Sequence, residues 1–76
     1  MTEVEVDARN LLCPMPVIRT QNAVKNLEPG NRVRVLCTDP GAMADIPAWC
    51  RINGHTLISA EEVDDLITIV VEVAPE

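Results

Sequence analysis

One short stretch of the sequence marks the point where a strand ends and a helix begins: Leu11-Leu12-Cys13-Pro14-Met15-Pro16. Pro14 disfavours the helical backbone region for Cys13 and itself suits the first position of a helix. We therefore predict an extended Cys13 at the mouth of a helix. The partial positive charge of a helix start favours an anion, so we expect a lowered pKa for the Cys13 thiol and a better nucleophile at neutral pH. Since Pro14 and Pro16 carry no backbone N–H, the anion would depend on the Met15 N–H and the helix dipole.

The hydrophobic pattern around this stretch predicts the order strand, helix, strand, helix, strand, strand. Alternating apolar residues indicate strands over 3–7, 32–38 and 66–73, and a further strand is expected over 56–61. Helical spacing indicates a first helix over 14–27, and a second helix is expected to begin near residue 40. A strand-helix-strand crossover is right-handed and parallel, and the last two strands form a hairpin around a polar reversal at 62–65. The fold class is thus α/β (α+β), a four-stranded mixed sheet with two helices on one face and water on the other.

Charged residues on the open faces of the first two strands support this pairing. Glu3 and Glu5 on the first strand are expected beside Arg32 and Arg34 on the second. Such cross-strand pairs are worth ~0.2–1 kcal/mol each and favour one register.

The second helix is bounded by residues typical of helix ends. Asp39 is a plausible N-cap, Pro40 suits the first helical position, and Gly54 suits the left-handed residue after the last turn. Pro47 has no N–H to donate to the preceding turn. Two alternatives follow: the helix kinks, or a short first turn hands over to a second segment capped by Asp45.

The other thiols and the single histidine fit structural roles better than chemical ones. Cys37 alternates with valines and is expected in the core, and for Cys50 we favour packing over a second reactive thiol site. His55 follows a helix-ending glycine and is expected in a turn. With Cys13 these residues could supply four zinc ligands, but their spacing matches no usual zinc motif. We expect no metal and no cofactor.

The composition indicates which kinds of partner and which cellular location to expect. The chain has 76 residues, 47% of them hydrophobic, which suits one domain over residues 1–76. A net charge of −6 and a single aromatic residue, Trp49, oppose direct nucleic-acid binding and favour a basic protein partner. The acidic start lacks the apolar segment of a signal peptide, no apolar run is long enough to span a bilayer, and three cysteines suggest free thiols. We predict a cytoplasmic protein with no membrane association.

These residues together resemble the TusA/SirA family of small sulfur-carrier proteins. The similarity is carried by Asp7-Ala8, Leu11, the Cys-Pro-x-Pro signature at 13–16, Pro29-Gly30, Thr38-Asp39-Pro40-Gly41, Asp45-Ile46-Pro47 and Gly54-His55. Asn10 stands where the family often has glycine, and Asn also tolerates a left-handed backbone. The acidic ending 71–76 differs from the basic ending of many relatives.

The resemblance implies a two-layer sandwich and a role for Cys13 in accepting sulfane sulfur as a persulfide and relaying it. Pro14 and Pro16 would position the thiol, and Met15 and Arg19 are possible docking residues. Donors in the family include cysteine desulfurases and rhodanese-type proteins. Acceptors include DsrE/TusD-type proteins, in relays that serve tRNA 2-thiouridine synthesis or sulfur oxidation.

The residues around Cys13 agree with a carrier rather than a multiple-turnover catalyst. No second cysteine lies close to it in sequence, so a persulfide would persist until an acceptor thiol attacks. Two alternatives stay open: a thiol redox sensor that uses Cys13, and a non-catalytic interaction module.

Overall fold

The predicted order of elements is confirmed in the computed structural model, which describes residues 3–74; the expected domain, 1–76, and the acidic ending, 71–76, extend beyond these residues. The elements are β1 (Glu3–Ala8), α1 (Met15–Val24), β2 (Arg32–Cys37), α2 (Ala42–Asn53), β3 (Thr56–Val63) and β4 (Leu66–Glu72). The sheet order is β1-β2-β4-β3, with β1 parallel to β2 and β4 antiparallel to β2 and β3. Neither helix of the described part of the chain has the length and apolar character that crossing a membrane requires.

The core lies between one face of the sheet and the two helices. Because side chains alternate along a strand, every second residue of β2 and β4 points into it. The fully buried residues of these strands are Val33, Val35, Cys37, Ile67, Ile69 and Val71, and the buried residues of the helices are Pro16, Thr20, Ala42, Ile46 and Cys50. Each buried valine or isoleucine stabilises the fold by ~1.5–3 kcal/mol. The Thr20 hydroxyl donates to the Pro16 carbonyl at 2.8 Å, so its burial leaves no unpaired donor.

The expected register of the first two strands is confirmed, and one of its two charge pairs forms. Glu3 lies opposite Arg32 and Glu5 opposite Arg34. Arg34 contacts Glu5 at 2.8 Å, whereas Arg32 turns to Glu72 on the other neighbouring strand at 3.5 Å. Both pairs are half exposed, so each contributes only ~0.2–1 kcal/mol.

The first helix is shorter than predicted at both ends. It begins at Met15 because the Met15 N–H donates to the Leu12 carbonyl at 2.9 Å, which closes a turn around Cys13 and leaves Pro14 as the N-cap. It ends at Val24; the Lys25 N–H still donates to the Gln21 carbonyl, and i→i−3 hydrogen bonds from Asn26 and Leu27 then replace the helical ones. Leu27 lies beyond the helix yet still packs against the core, as its spacing predicts.

The second helix is one continuous segment, so the predicted alternative of a separate segment capped by Asp45 is wrong. Its N-cap is Gly41 and its first residue Ala42, which corrects the expected roles of Asp39 as N-cap and Pro40 as first residue. The helix begins later than expected because the Ala42 and Met43 N–H groups form i→i−3 bonds to the Asp39 and Pro40 carbonyls before the helical pattern begins. Gly54 ends the helix at φ +77, as predicted.

The β3–β4 hairpin turns within two residues rather than the predicted four. Asp64 and Asp65 both have positive φ, +52 and +66, which matches the mirror-image turns whose twist suits a hairpin. Aspartate tolerates this backbone region better than most residues. Strand β3 therefore continues to Val63, with an irregularity between Leu57 and Ser59.

We predict that Pro47→Ala does not lower the free energy of unfolding. Pro47 lies inside α2, and an alanine there restores the missing donor in a residue of higher helix propensity. Urea denaturation of the two proteins measures the effect. A loss of more than about 1 kcal/mol would mean that the proline ring is needed for packing.

His55 connects the end of α2 to the segment that follows β4. Its Nδ1 accepts the Ala74 N–H at 2.9 Å, and its ring lies 4.8 Å from the Trp49 ring, between centroids. An imidazole that accepts at Nδ1 must be neutral there or lose this bond. Burial lowers the pKa of His55 from its ordinary value of 6.5.

This lowered pKa predicts a stability that falls as the solution is acidified. The unfolded chain binds a proton at His55 near pH 6.5 and the folded chain only at lower pH, so stability is complete above that pH and is lost as pH falls towards the folded pKa. Urea denaturation at pH 7.5 and 5.5 measures the loss, and His55→Gln should largely remove it. An equal loss of stability between pH 7.5 and 5.5 in the wild type and in His55→Gln would contradict this role.

Candidate functional site

Two loops meet at one edge of the sheet because β1 and β2 are parallel and both lead into helices. The Asn10 N–H donates to the Thr38 hydroxyl at 2.9 Å, and the Cys13 N–H donates to Asp39 Oδ2, also at 2.9 Å. Asn10 adopts the left-handed backbone, φ +63, that its place in the family pattern suggested. The loop that carries Cys13 is thus tied to the loop that opens α2.

A second set of contacts fixes the start of the same loop. The Arg9 backbone N–H and guanidinium both donate to the Asp7 carboxylate, at 2.9–3.0 Å. The Arg9 side chain, followed by its backbone N–H, lowers the pKa of Asp7 to about 2, and the charge of Arg19 adds a smaller effect. This aspartate therefore stays ionised and holds the loop through ordinary pH.

The expected lowering of the Cys13 pKa is wrong. The thiol is exposed, and its Sγ donates to Asp45 Oδ2 on α2 at 2.5 Å. A carboxylate that accepts the thiol proton stabilises the neutral form, so this hydrogen bond raises the pKa of Cys13. Slight desolvation and the negative charges of Asp45 and Asp39 act in the same direction.

The start of α1 offers few N–H donors to offset these carboxylates. The Met15 N–H, on which an anion was expected to depend, donates to the Leu12 carbonyl. Pro14 and Pro16 occupy the N-cap and an early position of α1 and have no N–H. The Cys13–Pro14 peptide bond is cis. The prolines shape this corner and reduce the number of N–H donors that the first turn of α1 can offer to a sulfur anion.

Exposed apolar side chains lie on both sides of Cys13 in the sequence. Leu12, Met15 and Ile18 are 76%, 39% and 41% exposed, and we call these three the apolar collar. Arg19 is exposed on the next position of α1. Met15 and Arg19, the predicted docking residues, are four positions apart and therefore share one exposed face of α1, the helix that follows Cys13.

The other two cysteines lie in the core, as expected. Cys37 is fully buried in β2, and burial raises its pKa to about 11. Cys50 is 1% exposed on the inner side of α2, and burial raises its pKa as well. Neither thiol is available to a protein partner in the folded state. His55 lies at the far end of α2, away from the loops that hold Cys13.

Sequence reasoning missed the contact between Asp45 and the thiol. Asp45 was interpreted as a possible helix cap, but it is the fourth residue of α2 and serves as an acceptor for Cys13. The parallel order of β1 and β2 was the available signal, since it places both helix starts at one edge. A carboxylate in the first turn of α2 then comes within reach of a thiol at the entry to α1.

A mixed sheet with one exposed thiol at the entry to its first helix defines a class of small thiol proteins. The family model of the sulfurtransferase TusA matches residues 4–73, and the chain belongs to this family. The sulfur carrier protein TusA of Pseudomonas aeruginosa is 42% identical over 57 residues, which cover 75% of this chain and 72% of that protein.

Two further comparisons cover almost the whole chain. A protein of Neisseria meningitidis serogroup B with the name "Putative sulfur carrier protein" is 39% identical over 72 residues, 95% of this chain and 97% of that one. The crystal structure of a SirA-like protein from Desulfitobacterium hafniense superposes with a TM-score of 0.84 at 26% identity, over 93% and 97% of the two chains. Both the fold class and the family resemblance are thereby confirmed.

We predict that iodoacetamide labels the folded protein once and the urea-unfolded protein three times. Cys13 is exposed, whereas Cys37 and Cys50 are buried in the core. Intact mass counts the labels, and Cys13→Ser should take none while folded. Rapid labelling of folded Cys13→Ser would place a second reactive thiol at the surface.

Proposed function

We propose that this protein is a sulfur carrier that accepts sulfane sulfur as a persulfide on Cys13 and relays it to an acceptor protein. The observation that supports this most is that Cys13, alone among the three cysteines, is exposed. It lies where the loop before α1 is hydrogen-bonded to the loop before α2. Membership of a family of sulfur carriers supports the same chemistry.

Loading requires no external oxidant. The Cys13 thiolate attacks the outer sulfur of a donor persulfide, the donor S–S bond breaks, and its electron pair leaves on the donor's inner sulfur as a thiolate. The outer sulfur remains on Cys13 as a persulfide. Discharge is the same exchange with an acceptor thiolate as the nucleophile.

The surroundings of Cys13 suit storage between these two steps. Cys37 and Cys50 are buried and cannot resolve the persulfide, so the sulfur stays until an outside thiol arrives. In this proposal residues 1–76 form one domain, and this domain carries sulfur rather than catalysing many turnovers. Pro14 and Pro16 fix the backbone turn that exposes the Cys13 thiol.

The partners in this proposal are those that the family resemblance implies. A cysteine desulfurase or a rhodanese-type protein would supply the sulfur, and a DsrE/TusD-type protein would take it, in tRNA 2-thiouridine synthesis or in sulfur oxidation. In this proposal the apolar collar, which includes Met15, and the exposed Arg19 are the residues on which these proteins would dock. The setting is the cytoplasm, where thiols stay reduced.

The raised pKa of Cys13 disfavours the redox-sensor alternative. Sensor cysteines are exposed thiolates of low pKa, and here Asp45 stabilises the neutral thiol. A thiol of this kind resists peroxide yet can still react with a persulfide held beside it by a docked protein.

We predict that incubation with a cysteine desulfurase and cysteine adds one sulfur atom to the protein, which reductant removes. Intact mass spectrometry measures the gain. Cys13→Ser should gain nothing, because its hydroxyl forms no persulfide. Pro14→Ala should fold yet load less completely, since the corner that directs the thiol is loosened.

Cys50→Ala is the matched control for the loss of one thiol. It removes a sulfur that is 1% exposed and should load like the wild type, provided that circular dichroism shows it folded. Undiminished loading of Cys13→Ser would falsify the proposal.

A further inference from the structure

The contact between Cys13 and Asp45 crosses from one helix entry to the other. Cys13 precedes α1, and Asp45 lies in the first turns of α2, so the hydrogen bond from Sγ to Oδ2 joins residues 32 positions apart. Asp39 accepts the Cys13 N–H and, at 3.3 Å, the Gly41 N–H, which fixes the backbone beneath this contact. The position of the thiol proton is therefore set by the tertiary structure.

We propose that Asp45 is a positioning residue that holds Cys13 as the neutral thiol until a positively charged side chain of a partner pairs with its carboxylate. This inference rests on the proposed function, because it concerns the state in which Cys13 waits for sulfur. Once the carboxylate binds a cation, the thiol loses its acceptor, its proton passes to water, and the thiolate becomes available for attack on the donor persulfide.

The charges that face the thiol all favour this arrangement. Asp45 on α2 and Asp39 in the β2–α2 loop are the charged groups that act on Cys13, and both are negative. Asp45 is only half-buried, so a lysine or arginine of a docked protein can reach it from solvent. A partner that brings an acidic group to the same place would strengthen the hold on the proton.

The experiment uses methanethiosulfonates, which react with a thiolate to give a mixed disulfide and release methanesulfinate. The rate for the neutral methyl reagent is measured against pH for the wild type and for Asp45→Asn. The uncharged amide of this variant cannot accept the proton as a carboxylate does, so the midpoint of the profile should move to lower pH. A shift of the midpoint by one pH unit gives about tenfold more thiolate at pH 7. Because a less basic thiolate is also a weaker nucleophile, the reaction becomes only about threefold faster.

Charged reagents test the electrostatic part of the proposal. The trimethylammonium-ethyl reagent should react faster with the wild type than the sulfonato-ethyl reagent does, relative to their rates with glutathione. The preference should shrink in Asp45→Asn and return in Asp45→Glu. Asp64→Asn, the same change in the β3–β4 turn, should keep both the wild-type midpoint and the preference.

An unchanged midpoint in folded Asp45→Asn, or an equal effect of Asp64→Asn, would overturn the role of Asp45. None of these reagents carries sulfane sulfur, so the result is independent of persulfide loading. Failure of Cys13→Ser to abolish loading would instead overturn the carrier proposal and leave the control of the thiol proton standing.

Discussion

The parallel pairing of β1 with β2 is the constraint on which the rest of the structure depends. The register joins Val4 to Val33 and Val6 to Val35, so the apolar faces of both strands point to the helices. Because both strands run the same way, both following loops leave from one edge, and both helices pack on one face. The thiol, the carboxylate that accepts its proton and the backbone that supports it meet only through this arrangement.

Two features of the site act on the Cys13 sulfur in opposite directions: the start of α1 favours the thiolate, and Asp45 favours the neutral thiol. A helix start favours an anion, but its effect depends on open N–H groups, and at α1 two of them are replaced by proline and a third is bonded to the Leu12 carbonyl. Asp45 contacts the sulfur directly. The direct contact prevails, so the free protein presents a thiol, and its reactivity depends on what a partner does to the carboxylate.

Most of the fold followed from local patterns, and most of the site did not. Alternating apolar residues identified β1, β2 and β4, and the crossover rule gave the parallel pair with Glu5 beside Arg34. Helix ends were less certain because i→i−3 turns, which propensity does not encode, moved the start of α2 from Pro40 to Ala42. The pKa of Cys13 was predicted with the wrong sign because Asp45 reaches it through tertiary structure, 32 positions along the chain.

The location of the transferred sulfur tests the account most directly. Trypsin cleaves after Arg9 and Arg19, which isolates Cys13 in the peptide 10–19, and after Arg34 and Arg51, which leaves Cys37 and Cys50 together in the peptide 35–51. After loading by a cysteine desulfurase and alkylation, mass spectrometry should find the additional sulfur on peptide 10–19. Sulfur found on peptide 35–51 of folded protein would contradict the assignment of Cys13 as the carrier.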